Sequence, residues 1–134
     1  KQRDIEITYE FGNDKSIFVN ADNFRITQVM SNLIVNSLNY GVENGTTEIV
    51  TKHLSKEKLL VRVIDNGQGI PEDDLPRIFE RFYRVDKTRN RQEGGSGLGL
   101  AIVKHIVEAH NEIVYVESSL NVGSEFSFTL TKSN

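Results

Sequence analysis

The chain contains no cysteine, which excludes disulfides, thiolate nucleophiles and cysteine-ligated zinc. Its three histidines, His53, His105 and His110, fall at no metal-motif spacing. No apolar run approaches the roughly 20 residues that a membrane-spanning helix needs, and no signal peptide is expected. Basic residues are in the minority: 16 Lys and Arg stand against 19 Asp and Glu, a formal charge of −3. That balance argues against non-specific nucleic-acid binding, and no nucleic-acid partner is expected. What remains is 26% charged and 37% hydrophobic, the composition of a soluble globular domain. A length of 134 residues allows one domain with a real core and is short for two. The chain starts at Lys1 without a Met and is expected to be a piece of something longer.

Hydrophobic patterning gives a mixed α/β order. "DIEITYEF" alternates, with Ile5, Ile7, Tyr9 and Phe11 on one face, and reads as a half-buried strand. "SIFVN" reads as a second, short strand. Asp22 is a good N-cap for a helix over about Asn23 to Asn39, with Ile26, Val29, Met30, Leu33 and Ile34 as its apolar stripe and Gly41 as its stop. "TEIVTKHL" and "KLLVRVID" flank "SKEK" as a hairpin. Pro71 followed by Glu72, Asp73 and Asp74 predicts the acidic first turn of a short helix carrying Leu75, Ile78, Phe79 and Phe82. Val85 to Gly95 lacks apolar periodicity and reads as a mobile loop. A long helix follows the glycines, and "EIVYVES" and "EFSFTLT" form a last hairpin. Antiparallel hairpins mixed with helices predict an α/β two-layer sandwich rather than a doubly wound parallel sheet.

Four stretches invite chemistry. "GGSGLGLAIVKHIVEAH" places four glycines within six residues at a helix start, where free N–H groups and the dipole favour an anion; a flexible loop before an ordinary helix is the plainer alternative. It is no P-loop, since Gly99 leads into Leu100 and Ala101, and no dinucleotide fingerprint, since a polar, basic loop precedes it in place of a strand. On the first helix, Gln28, Asn32, Asn36 and Asn39 share one sector at about 100° per residue, either a solvated face or a carboxamide row toward a cation, neutral oxygens suiting Mg²⁺. In "VIDNGQGIP", Asp65 ends a strand and could accept from an exocyclic amine such as adenine N6, or merely begin an Asp-Asn-Gly turn. Arg81, Arg84, Lys87, Arg89 and Arg91 crowd into eleven residues ahead of the glycines, a solvated charge run or compensation for a polyphosphate.

The order of these stretches is more specific than any one of them. "NLIVNSLNY", "DNGQGI", "IFERFYR" and "GSGLGLAIV" resemble, in sequence order, the N, G1, F and G2 boxes of sensor histidine kinases. The resemblance runs from about Asp22 to Leu130. It is to the catalytic and ATP-binding domain, of the superfamily that includes gyrase, Hsp90 and MutL. It implies a mixed sheet packed on three helices, one such domain over residues 1–134, and ATP and Mg²⁺ as ligands.

The resemblance also implies roles. Asn36 is similar to the asparagine that coordinates Mg²⁺, with Asn32 one turn before it assisting the metal or its water. Tyr40 resembles the aromatic that packs on adenine, and Asp65 the aspartate that binds the adenine amino group. Gly67 and Gly69, with Ile70 beside them, let the nucleotide approach the backbone. Phe79 and Phe82 resemble anchors for a lid, and Arg84 the arginine that reaches the γ-phosphate. Gly95, Ser96, Gly97 and Gly99 match the triphosphate-binding turn, with Leu98 and Leu100 as apolar partners.

Departures are as telling. Asn39 stands where such kinases often carry Lys, a loss that Lys87, Arg89 or Arg91 would make good. His110-Asn111-Glu112 replaces a common His-Gly-Gly, and Asn tolerates a left-handed cap. Asn32 stands where the gyrase and Hsp90 branch has a Glu base; it cannot accept a proton, which favours phosphoryl transfer over ATP hydrolysis. None of the three histidines sits in a phosphoacceptor motif, so the acceptor is expected on a separate dimerisation domain of a parent kinase. A response regulator would act downstream, the isolated domain would be monomeric, and it would lie on the cytoplasmic side of a membrane-anchored parent. A nucleotide-binding or interaction module without catalysis is the alternative, resting on Asn39.

Overall fold

A computed structural model of the chain describes residues 6–10, 18–83 and 98–133. Strands β1 (Glu6–Glu10), β2 (Val19–Asn20), β3 (Thr46–His53), β4 (Lys58–Asp65), β5 (Val114–Ser119) and β6 (Gly123–Lys132) form one sheet. Helices α1 (Asn23–Asn39) and α2 (Gly99–Ala109) and a 3-10 helix (Glu72–Arg77) complete the described elements. The strand order is β1-β3-β4-β6-β2, with β5 also on β6. Only β1 with β3 runs parallel among the described pairs; the others are antiparallel. The mixed sheet on a helical layer is the expected architecture. The mobile loop expected at Val85 to Gly95 lies outside the described residues.

Local chemistry explains the elements. Asp22 accepts from the Arg25 N–H at 3.1 Å and opens α1, the N-cap role its short carboxylate suits. Val29 and Leu33 on the predicted stripe are at most 1% exposed, a burial that contributes roughly 1.5–3 kcal/mol each. In β4 the alternation turns Leu59, Val61 and Val63 inward, against Phe126, Phe128 and Leu130 of β6 and against Val103, Ile106 and Val107 of α2. On the opposite face Arg62 forks onto Glu125 with bonds of 2.7 and 3.0 Å.

Helix α2 runs back along α1. At its end His110 caps the helix, its Nδ1 2.9 Å from the Ile106 carbonyl and its Nε2 accepting from the Asp22 N–H at 3.0 Å. Asn111 then takes φ 60°, the left-handed turn expected of it. Glu112 is buried, accepting from Lys58 Nζ at 2.8 Å, Thr129 at 2.6 Å and Thr131 at 2.7 Å. The short helix after Pro71 is a 3-10 turn ending at Arg77, tighter and earlier than the predicted helix, with Pro76 inside it, which removes an N–H that a longer helix would need.

Candidate functional site

Three parts of the chain meet along the second half of α1. Gln28, Asn32, Asn36 and Asn39 are all half-buried, whereas Phe24, Arg25, Thr27, Ser31 and Val35 form the exposed face. The carboxamide row is therefore not the solvated face; Asn32 Nδ2 donates to the Gly99 carbonyl at 3.3 Å, joining mid-α1 to the first residue of α2. Asn36 lies one turn further on, about 6 Å along the axis. Gln28, one turn earlier, has a buried Oε1 with no hydrogen-bond partner among the described residues.

Leu98 precedes α2 as an N-cap with no side-chain hydrogen bond to the first turn. A Cβ at Gly99 would meet no described residue within 4 Å. Leu100 packs partly buried against the core. Among the described residues, no side-chain cap is seen at the start of α2, which lies beside a bare Cα at Gly99.

Asp65 sits at the end of β4, opposite Thr47 of β3. Its Oδ1 accepts from the N–H groups of Gly67 at 2.9 Å and Ser124 at 3.3 Å. Burial pushes its pKa above the ordinary value, opposed by those hydrogen bonds from Gly67 and Ser124. Thr47, opposite Asp65 on β3, lies 2.6 Å hydroxyl to hydroxyl from Ser37 of α1, directly after Asn36, which ties this strand end to the carboxamide stretch of the helix.

The turn after Asp65 has its own need for glycine. A Cβ at Gly67 would lie 2.5 Å from the Tyr40 carbonyl oxygen. Gly69 has φ 76° and would clash with the Ser119 carbonyl at 2.2 Å. The chain's own carbonyls require glycine at both positions. The Gln68 N–H donates to that Tyr40 carbonyl at 3.1 Å, and the Ile70 N–H to Ser118 Oγ at 2.7 Å, which tie the turn to the end of α1 and to β5. Tyr40, the C-cap of α1, is half-buried beside this turn.

The two phenylalanines expected as anchors part here, one entering the core and one leaving it. The Phe79 ring packs edge-on to Phe126 at 6.2 Å, with Lys104 Nζ 5.8 Å from its centroid. Phe82 is 66% exposed; its φ of 67° turns the backbone into the left-handed region, where the ring leaves the core. Tyr83 follows, its hydroxyl bonded to Asp74 and its ring under Arg77 at 4.6 Å. Arg84, Lys87, Gly95, Ser96 and Gly97 lie outside the described residues.

The sequence reading missed two groups. Ser37 and Thr47 are 1% and 0% exposed, with their hydroxyl oxygens 2.6 Å apart behind Asp65. The available signal was a serine continuing the apolar stripe of Val29 and Leu33 at intervals of four. Glu112 gave no comparable signal, since its partners lie 17 to 54 residues away.

Comparison with known proteins identifies the family. The model of the "Histidine kinase-, DNA gyrase B-, and HSP90-like ATPase" family matches residues 21–134. The chain belongs to this family. Within the histidine kinase-like ATPases it is 43% identical over 118 residues to the sensor histidine kinase WalK of Bacillus subtilis (strain 168), a match covering 87% of this chain and 19% of WalK. The chain thus spans about a fifth of that relative's length. Full-length ShkA, solved in complex with AMPPNP, superposes with a TM-score of 0.81 at 29% identity, over 97% of this chain and 26% of ShkA. Histidine kinase ThkA, solved in complex with the response regulator protein TrrA, gives 0.75 at 29%, over 96% of this chain and 34% of ThkA. Like these relatives, the chain is a histidine kinase catalytic-domain homologue, and none of its described helices is long and apolar enough to cross a membrane.

Proposed function

We propose that the chain binds Mg-ATP and donates the γ-phosphate to a histidine on a separate dimerisation domain of a longer sensor kinase. One observation carries this reading: Asn32 of the carboxamide row meets the start of α2 at Gly99, while the same helix reaches the Asp65 strand end through the Ser37–Thr47 hydroxyl pair and the Tyr40 carbonyl that binds the Gln68 N–H. An elongated ligand with an amine at one end and anionic oxygens at the other suits that line of groups. The ShkA complex supports a nucleotide as that ligand.

The donor set fits Mg²⁺ of a particular kind. Among the described residues no three His, Cys, Asp or Glu side chains could hold a metal. Neutral oxygens of Asn36 and Asn32, half-buried one turn apart, suit a hard cation whose remaining ligands are phosphate oxygens and water. When bound, the ion would neutralise polyphosphate charge. The chain's own groups would do the rest. Asp65 would accept from the adenine amine, and Tyr40 would flank the base with Ile70. The amides of the Gly95–Gly99 turn would hold phosphates at the helix start. Arg84 would stabilise the γ-phosphate as it moves, and Lys87 would replace the charge absent at Asn39. Asn32 carries no group that takes a proton from water, so transfer to a protein acceptor is favoured over hydrolysis.

His53, His105 and His110 are followed by Leu54, Ile106 and Asn111, none of them the acidic residue of a phosphoacceptor motif, and His110 is held at both ring nitrogens, so self-phosphorylation is not expected. The parent kinase would pass its phosphate to a response regulator, as the ThkA complex with TrrA supports, and residues 1–134 would serve as a single, monomeric unit on the cytoplasmic side. The test is a nucleotide titration with and without Mg²⁺, then addition of a cognate dimerisation domain. Mg-dependent binding and phosphate on the added histidine are expected. Radiolabel on this chain alone, or no binding at all, would refute the reading; binding without transfer would make it a non-catalytic module.

A further inference from the structure

The turn that follows Asp65 does not hold its own shape. Among the described residues, no backbone hydrogen bond runs between two members of residues 66–70. The Asn66 N–H donates to the Thr46 carbonyl at 3.3 Å and the Gln68 N–H to the Tyr40 carbonyl at 3.1 Å, while the Gln68 carbonyl accepts from the Asn121 N–H at 2.7 Å. Half-buried backbone groups need partners, and here those partners belong to β3, the end of α1 and the turn between β5 and β6.

One anchor differs in kind. The Ile70 N–H donates to Ser118 Oγ of β5 at 2.7 Å. Among the described residues it is the one bond to this turn from a side chain outside residues 65–70. The Ser118 hydroxyl also lies 3.0 Å from the Gly123 carbonyl and 2.8 Å from Ser124 Oγ, its register partner on β6. A serine hydroxyl gives one proton and has two lone pairs. With its proton on the Gly123 carbonyl, both lone pairs are taken, one by the Ile70 N–H and one by the Ser124 hydroxyl. Three partners thus fix the oxygen, and the oxygen fixes Ile70.

The turn and the hairpin end lie in direct contact. Gly69 stands at φ 76°, where a Cβ would meet the Ser119 carbonyl at 2.2 Å. Ile70 packs partly buried against the core. Without the Ser118 hydroxyl, the Ile70 N–H loses its partner at a half-buried position, and the turn must shift to bring it to water.

We infer that Ser118 is a positioning residue for the nucleotide site: through the Ile70 amide it holds the turn at residues 66–70 in the shape that receives the base, and it sets affinity for the nucleotide rather than the rate of phosphoryl transfer. The inference rests on the reading that the base lies at Asp65 and Ile70. That end of the ligand is common to ATP and ADP, so loosening it weakens both alike. Transfer happens at the other end, so a saturated site transfers at an unchanged rate.

The experiment measures Kd for Mg-ATP and Mg-ADP by calorimetry, and the rate of transfer at saturating Mg-ATP to an added dimerisation domain. The proteins are the unaltered chain and its Ser118→Ala, Ser118→Thr, Val122→Ala and Asp65→Asn variants. Circular dichroism checks that each is folded at the temperature used, and NMR follows amide exchange at Ile70. Ser118→Ala should weaken ATP and ADP equally, by about tenfold, as an amide left without its partner commands. It should also speed exchange at Ile70 and keep the saturated rate within about twofold. Ser118→Thr keeps the hydroxyl and should behave as the unaltered chain. So should Val122→Ala, whose side chain is 68% exposed on the same hairpin end. A folded Ser118→Ala of unchanged affinity, or one whose saturated rate falls as far as its affinity, overturns the inference. Weakening by Ser118→Thr or Val122→Ala to the same extent overturns it as well, since the hydroxyl would not be the cause. In each of these cases the base-binding reading stands if Asp65→Asn weakens both nucleotides. If Asp65→Asn binds them as the unaltered chain does, or the unaltered chain binds neither, the reading and the inference fall together.

Discussion

Replacing Glu112 with Gln should cost this domain stability out of proportion to the change of one atom. The Glu112 side chain is 3% exposed and holds Lys58 Nζ at 2.8 Å, while Thr129 and Thr131 donate to its two oxygens at 2.6 and 2.7 Å. Gln keeps the shape but turns one acceptor oxygen into an NH₂ donor facing groups that also donate. A hydrogen bond to a charged group contributes about 1.5–3 kcal/mol, and the three are not additive. Lys58 is 39% exposed, so its ammonium can turn to water and its share is discounted. The expected loss is about 2–3 kcal/mol at neutral pH, or roughly 8–12 °C in Tm for a domain of this size.

The pH dependence separates charge from packing. Burial alone would raise the Glu112 pKa, but the hydrogen bonds from Lys58, Thr129 and Thr131 outweigh it and hold the carboxyl below its ordinary 4.5. The unfolded chain then binds the proton more readily than the folded one, so this stabilisation is complete above about pH 5 and disappears as pH falls through the folded value. Asp65 works in the opposite sense, its pKa raised by burial; it is common to both proteins and cancels in their difference. Urea unfolding of Glu112→Gln and the parent chain at neutral pH and near pH 3.5 measures that difference. A gap below about 0.5 kcal/mol at neutral pH, or one that does not narrow in acid, would refute the reasoning.

Asn36→Ala should weaken nucleotide binding in the presence of Mg²⁺ far more than in EDTA, with an unchanged circular dichroism spectrum; equal weakening in both would remove Asn36 from the metal. Arg84→Ala should lower the rate of transfer to an added dimerisation domain by about 100-fold or more with little change in ATP Kd, which single-turnover labelling would check. Phe79→Ala should destabilise by about 3 kcal/mol through the lost contact with Phe126, whereas Phe82→Ala should change thermal stability by less than about 0.5 kcal/mol. Gly123→Ala should abolish the native fold or lower Tm sharply, because Gly123 has φ 146° and its Cβ would sit 2.0 Å from the Asp65 carbonyl oxygen; a Tm within a few degrees of the parent chain would contradict that geometry.

The sequence by itself determined the element order, the α1 cap at Asp22, both long hairpins, the left-handed turn at Asn111 and the carboxamide row. These depend on neighbours within one or two turns, or on a periodicity that only one face can bury. It also carried four family boxes, whose order is visible without any structure. Only the tertiary structure decided that Asn32 bonds the start of α2 and that the carboxamide row is half-buried, that Phe82 leaves the core while Phe79 enters it, and that the chain's own carbonyls demand glycine at 67 and 69. It alone joined Ser37 to Thr47 and Glu112 to Lys58. Those pairings follow from sheet order and strand register, which set which distant residues stand opposite each other, and a hydroxyl or carboxylate gives no sign in the sequence of the partner that makes its burial tolerable.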